Sequence, residues 1–508
     1  MLFNSLHFLI FFPVVVLLYF VIPRKVKYLW LLAASYYFYM GWNAKYALLI
    51  AFSTVVTWLS GLLLGMCQKP GQDGPEQKKE GRKKKWIVAA SFLINLGILF
   101  FFKYFDFALD NLNFILSKIG IALVEKPFDV VLPVGISFYT FQALGYTMDV
   151  YREKIKPEKN LLKYALFVSF FPQLVAGPIE RSQNLLGQIR QIGSKGFREL
   201  WDYDRIVSGL VLMLWGYFQK LVIADRLAVF VDEIFNSWYF YGTVELVLAA
   251  AAFSIQLYCD FASYSTIAIG AAKVMGFTLM ENFDTPYFAK SIQEFWRRWH
   301  ISLSTWFKDY LYIPLGGSRC GRLRRHINMM ITFLVSGLWH GASWHFVVFG
   351  AIHGMYQVIG AETAEIRKKI TDRLGVKRES FSFGLGQILV TYALTASSMI
   401  IFRASSLSQA FGIFKRIFTK PDPWALTDGS LFILGINYAQ RDILAAALVI
   451  MLLVSILRYW KKETLDVFLA KQCLWFRWLV VLILVIFIFL FGVYGPGFDA
   501  NQFIYFQF

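Results

Sequence analysis

Residues 1–23, 46–68, 380–402 and 478–498 each contain no Asp, Glu, Lys or Arg. A helix rises about 1.5 Å per residue, so each run can cross a hydrocarbon core of about 30 Å. A soluble fold has no use for four such runs; a polytopic membrane protein is built from them. Shorter apolar blocks at 28–44, 86–102 and 443–457 are able to span with interfacial flanks. The pattern predicts an all-α polytopic membrane protein with roughly 10–12 transmembrane helices. It is organised as one membrane-embedded domain over 1–508. Residues 1–23 have no basic n-region and no small-residue cleavage site, so they read as a retained first span rather than a signal peptide.

The net charge is +18. Its basic clusters, at 24–27, 78–85, 319–325, 367–369 and 458–462, lie in loops beside the apolar blocks. That is the positive-inside bias of membrane proteins. No soluble basic domain is visible, which excludes nucleic acid as a partner. The bias places 24–27, 69–85, 363–379 and 458–472 in the cytoplasm and the tail 495–508 outside. Four cysteines without CxxC spacing supply neither a metal framework nor a disulfide set.

Two regions resist a picture of straight spans. Pro133, Pro172 and Pro178 fall in the apolar stretch 133–179. Proline removes a backbone donor, and irregular backbone at membrane depth must be satisfied by protein or by a water cavity. Broken or re-entrant helices are expected there. The stretch 327–361 is uncharged and would reach about 52 Å as one helix, longer than a bilayer is thick. Gly337 and Gly341 flank Trp339–His340 and offer the break.

That second stretch contains GLWHGASWHFVVFGAIHG, 337–354, with His340, His345 and His353, half of the six histidines in the chain. On a helix, His345 and His353 each lie about 140° from His340, on opposite sides, so the three share no face. HExxH is absent and 327–361 holds no carboxylate, so no metal site is expected. His345 and His353 are expected to bond neighbouring carbonyls, and His7 and His326 to be incidental. Upstream, SIQEFWRRWHISLSTWFKDYLYIPLGGSR, 291–319, sets Glu294, Arg297, Arg298, His300, Ser302, Ser304, Lys308 and Asp309 among Trp296, Trp299 and Trp306. This pattern suits a surface amphipathic helix or a polar cleft walled by rings at the membrane boundary. Asp260 is a further acid in an apolar stretch and is expected to pair with an arginine. No GxSxG elbow occurs. Histidine remains as a general base.

FWRRWHISLSTWFKDYLYIPLGG followed by GLWHGASWHFVVFGAIHG resembles the membrane-bound O-acyltransferase superfamily, in particular its bacterial alginate O-acetyltransferase-like branch. LPVGISFYTFQALGYTMDVYR (132–152), FPQLVAGPIERSQNLL (171–186) and FRASSLSQA (402–410) are similar to that branch as well, and the C-terminal part, about 380–508, is typical of it. One segment departs from the pattern: DFASYSTIAIG stands where relatives read like DFSGYSDMAIG.

The resemblance implies helices around a central tunnel, in which an acyl group passes from a cytoplasmic thioester to a hydroxyl reached from outside. It implies His340 and His300 as catalytic residues. Trp339, Trp344, Arg297, Arg298, Trp299, Ser302 and Asp309 would line the tunnel or bind the donor. No bound cofactor is implied; acetyl-CoA or another acyl thioester, free or on an acyl carrier, would be a substrate. The acceptor would be an extracytoplasmic polysaccharide, reached through an SGNH-hydrolase-like partner, with the protein in the bacterial inner or plasma membrane. Alternatives are a D-alanyl transferase of the teichoic-acid type, a transporter or flippase using intramembrane His and Asp, and a scaffold that recruits a secreted enzyme.

Overall fold

The computed structural model describes residues 1–67, 75–127, 131–175, 177–194, 196–432, 434–494 and 504. The tail 495–508, apart from Ile504, and part of the basic segment 69–85 lie outside the described residues. Every regular element among the described residues is a helix. Seven are long and apolar enough to cross a bilayer: Ala44–Met66, Glu80–Lys118, Tyr203–Asn236, Thr243–Val274, Phe381–Arg403, Tyr438–Lys461 and Leu474–Phe491. Leu6–Val21 is a shorter apolar helix. Other apolar blocks fold as shorter or divided helices. The block 28–44 yields a helix of only 14 residues, Lys27–Met40, and 327–361 is divided in two.

The chain forms two compact units, Met1–Leu210 with Ala268–Met280, and Val211–Ile267 with Glu281–Phe508. In the first unit the expected breaks occur. Helix Ile136–Tyr151 starts at Gly135, whose φ of 74° lies in the left-handed region; a Cβ there would press on the Leu174 carbonyl. Short helices Leu161–Ser169 and Phe171–Leu174 follow, with Pro172 in the opening turn of the latter. Polar side chains tie neighbouring helices to Ala47–Met66: Tyr164 donates to Thr57 Oγ1 at 2.8 Å, and Ser53 donates to Asn95 Oδ1 of Pro75–Leu99 at 2.5 Å. Lys27, from the first basic loop, is buried and donates to the Tyr19 and Phe20 carbonyls at the end of Leu6–Val21. Those carbonyls have no partner within the helix, and a cation suits the negative end of its dipole.

In the second unit the uncharged stretch folds as a helical hairpin. Arg322–His340 and Trp344–Glu362 are its arms, each 19 residues and about 28 Å long. The turn falls at Gly341, which is extended (φ −166°, ψ 154°). Gly337 stays helical and serves close packing instead. A Cβ on it would meet Gly350 of the opposite arm at 3.1 Å, and a Cβ on Gly350 would strike the Phe333 carbonyl.

Asp260, on Thr243–Val274, pairs with Lys220 and not with an arginine: Lys220 Nζ lies 2.6 Å from Asp260 Oδ1 and 2.8 Å from Asp225 Oδ1. The reason is local. Residues Phe218–Ala224 are π-helical, and the Asp225 N–H bonds the Lys220 carbonyl, so residues five apart line up on one side. The spare Asp260 oxygen accepts the Ile504 N–H at 2.8 Å, and Arg226 donates to the Phe491 carbonyl at 2.5 Å. Phe491 and Ile504 are thus tied to Arg226 and Asp260.

Two outcomes follow. Lys220→Met leaves two buried carboxylates without their shared cation and is expected to cost about 3–5 kcal/mol. Thermal unfolding in detergent reads this, and combining it with Asp225→Asn and Asp260→Asn is expected to recover most of the loss. Glu180, in the first unit and outside the candidate spans, is the second case. Burial pushes its carboxyl up to about 7, against bonds from the Met280 N–H (2.5 Å) and Asn184 Nδ2 (2.8 Å) that favour the anion. A carboxyl raised on folding stabilises fully below its unfolded value of about 4.5, and that contribution is lost as pH rises through about 7. Glu180→Gln is expected to flatten the fall in unfolding temperature between about pH 5 and 8; an unchanged slope contradicts the assignment.

Candidate active site

All elements of the site belong to the second unit. Ser291 caps helix Ile292–Arg298, its hydroxyl accepting the Glu294 N–H at 3.1 Å. The helix ends at Trp299, which is extended, and His300 then takes a left-handed conformation, φ 44° and ψ 54°, before helix Ile301–Phe307. Such a backbone costs a non-glycine residue about 1–3 kcal/mol and persists where its surroundings over-determine it. Here two backbone bonds hold it, Asp284 N–H to the Arg298 carbonyl and Ile301 N–H to the Asn282 carbonyl, both 2.9 Å. The sharp turn drives the His300 ring into the interior, where it is fully buried. Its ring lies edge-on to Phe261 at 4.7 Å and to Trp339 at 5.8 Å.

His340 is the last residue of the first hairpin arm. Its ring lies edge-on to Trp339 at 5.1 Å, to Phe402 at 5.4 Å and to Phe349 at 6.2 Å. One indole, that of Trp339, therefore touches both histidines that the motifs single out. His300 is held well below its usual histidine value, chiefly by burial and secondly by repulsion from His340. Both effects keep its ring neutral, the state in which an imidazole can take up a proton.

His345 and His353 are engaged differently, with hydroxyls and an indole rather than the carbonyls expected. His345 Nδ1 lies 2.8 Å from Ser343 Oγ. His353 Nδ1 accepts from Trp296 Nε1 at 3.1 Å, and its Nε2 lies 2.9 Å from Ser398 Oγ. An indole N–H only donates, so the proton of neutral His353 sits on Nε2. That proton points to Ser398, whose own hydroxyl donates to the Thr395 carbonyl at 2.6 Å. The pair looks like a serine–histidine dyad but runs the wrong way for base catalysis. His326 Nε2 lies 3.0 Å from Glu362. Among the described residues no three His, Cys, Asp or Glu side chains converge.

The remaining expected residues divide. Ser302 is buried, and its hydroxyl donates to Asn282 Oδ1 at 2.9 Å. Trp299 is buried, stacked on Phe295 (5.4 Å) and edge-on to Phe283 (5.1 Å). Arg298 bonds Glu294 and Asp284 and lies over Tyr459. Arg297 is exposed, Asp309 is half-buried in the π-helical turn Lys308–Tyr312, and Trp344 is 53% exposed at the start of the second arm. Asn282, Phe261 and Phe402 stand at the histidines and were missed. The motif segments DFASYSTIAIG and FRASSLSQA contain the two phenylalanines, which was the available signal; Asn282 had none beyond its place upstream of 291–319.

Residues 152–373 match the family model of the MBOAT, membrane-bound O-acyltransferase family. The chain is 37% identical to the probable alginate O-acetylase AlgI of Pseudomonas aeruginosa over 426 residues, 82% of this chain and 75% of that protein. It is 33% identical to the peptidoglycan O-acetyltransferase of Helicobacter pylori over 448 residues, 82% and 79% of the two chains. A teichoic acid D-alanyltransferase of Streptococcus thermophilus is 28% identical over 296 residues, 53% and 68%.

The two kinds of histidine are separable by experiment. His353→Gln is expected to lower the unfolding temperature while acyl transfer per folded molecule stays within about threefold, since the bonds to Trp296 and Ser398 hold the fold and not the reacting groups. A loss of about a hundredfold or more in a stably folded His353→Gln protein contradicts the tautomer argument. With identity above 30% to proteins that it covers by three quarters, and with seven helices able to span a bilayer, this chain belongs to the membrane-bound O-acyltransferase family and is a multi-pass membrane acyltransferase.

Proposed function

We propose that the protein is an O-acetyltransferase that passes an acetyl group from a cytoplasmic thioester to hydroxyls of an extracytoplasmic polysaccharide, with His340 as general base. The observation that carries this is the pair of buried histidines, His340 and His300, both against the Trp339 indole. His340 removes the proton of an acceptor hydroxyl as its oxygen attacks the thioester carbonyl. The tetrahedral adduct collapses, the carbon–sulfur bond breaks, and the thiolate takes the proton from the His340 imidazolium to leave as thiol. Such base catalysis contributes typically about 10²–10⁴-fold. His300 orients the donor or relays the proton.

Acetyl-CoA, or an acetyl group on an acyl carrier, is the donor. Arg297 is exposed and offers a guanidinium to its phosphates. Trp339 and Trp344 wall the path, with Trp299, Ser302, Arg298 and Asp309 around it. An SGNH-hydrolase-like partner outside the bacterial inner or plasma membrane completes transfer to the polymer. The alginate and peptidoglycan O-acetyltransferases match 82% of this chain, and the D-alanyltransferase 53%; this difference supports acetyl over D-alanyl.

In proteoliposomes supplied with acetyl-CoA, release of free thiol and labelling of acceptor are measured together. His340→Ala is expected to lower both by about 10²–10⁴-fold with the unfolding temperature kept near that of the parent. Transfer at the parent rate by folded His340→Ala protein defeats the proposal.

A further inference from the structure

We infer that Asn282 is a positioning residue that fixes His300 with its proton on Nδ1 and presents Nε2 as a hydrogen-bond acceptor. The inference rests on the reading of His300 and His340 as the reacting pair. Asn282 is 1% exposed, and its amide oxygen is met by three groups. The Ser302 N–H lies 3.3 Å away, Ser302 Oγ 2.9 Å and His300 Nδ1 3.1 Å. A backbone N–H can only donate, so the amide atom facing it is the oxygen. The other end of the amide agrees: Nδ2 donates to Ser265 Oγ at 2.9 Å. An oxygen opposite Nδ1 requires a proton on Nδ1, and a neutral ring then carries its lone pair on Nε2.

Asn282 has little freedom to surrender this grip. Its own carbonyl accepts the Ile301 N–H at 2.9 Å, inside the backbone pairing that holds His300 left-handed. Phe261, Phe283 and Trp339 pack on the ring, and His340 is a titratable group that acts on it. His353 has the opposite tautomer, because its Nδ1 faces a donor and not an acceptor.

The chemical consequence divides the two roles left to His300. With its proton on Nδ1, neutral His300 cannot donate from Nε2 to the oxygen of a developing tetrahedral adduct. It can take a proton there, from the acceptor hydroxyl or from the imidazolium of His340, and return it to the departing thiolate. The assignment is therefore a proton relay, with Asn282 holding the ring in the receiving state.

The test uses the full-length chain in lipid nanodiscs with ¹⁵N-labelled histidine. At least one neutral ring protonated at Nδ1 is expected among the six histidines, and the signal of His300 is expected to be lost from that set in His300→Asn. A parent spectrum without any such ring overturns the inference and needs no variant to fold. Asn282→Asp supplies the second measurement. A carboxylate opposite Nδ1 stabilises the imidazolium, so the acid limb of the rate profile with acetyl-CoA is expected to move up by about one pH unit or more. The KM for acetyl-CoA is expected to stay within about twofold, since Asn282 does not meet the donor. Asn282→Leu is expected to lose about tenfold in kcat at every pH without that shift. An unmoved acid limb in folded Asn282→Asp protein defeats the positioning role alone. Transfer by His340→Ala instead defeats the site reading on which it rests.

Discussion

A hydrocarbon environment offers no water to complete a hydrogen bond, so each polar group carried into it must be satisfied by the protein itself. That constraint explains more of this structure than any single packing contact. Lys220 is buried because Asp225 and Asp260 flank it on a π-helical turn. Lys27 is buried because helix-end carbonyls need donors. His353 is buried because an indole, an imidazole and a hydroxyl close a chain that ends on a carbonyl. In each case, removing one member leaves its partner stranded in a medium of low dielectric, which costs far more than the bond itself is worth.

The site obeys the same rule and turns it to chemical use. Each nitrogen of an imidazole is either donor or acceptor, and the partner offered to one nitrogen decides the role of the other. Asn282 offers an oxygen to His300 and Trp296 offers an N–H to His353, so two buried histidines of one unit have opposite reactivities. Identity of residue type said nothing about this. The elements that bring His300 and His340 to Trp339 are backbone devices: a left-handed residue between two short helices, and a hairpin turn at an extended glycine.

Much of the plan was legible in the chain. The charge-free runs overlap helices Leu6–Val21, Ala47–Met66, Phe381–Arg403 and Leu474–Phe491 over most of their described residues, because length and apolarity are one-dimensional properties. The break beside Gly341 was legible because 35 uncharged residues exceed a bilayer. Gly337, the other candidate, could not be told apart from it. Whether a glycine serves a turn or a close helix contact depends on what lies opposite, here Gly350. The partner of Asp260 was misjudged for a similar reason. Lys220 reaches it through a π-helical turn that no period of 3.6 residues anticipates.

From its order of residues alone, the chain was committed to a helical membrane fold, to breaks where proline and glycine interrupt apolar runs, and to two histidine-bearing segments. Hydrophobic length and backbone chemistry act locally and are written in order along the chain. Which histidines meet at Trp339, which proton each ring carries, and which cation answers Asp260 were decided only when distant segments met. Hydrogen-bond direction is a property of pairs, and the pairs Asn282–His300, Trp296–His353 and Lys220–Asp260 exist only in three dimensions.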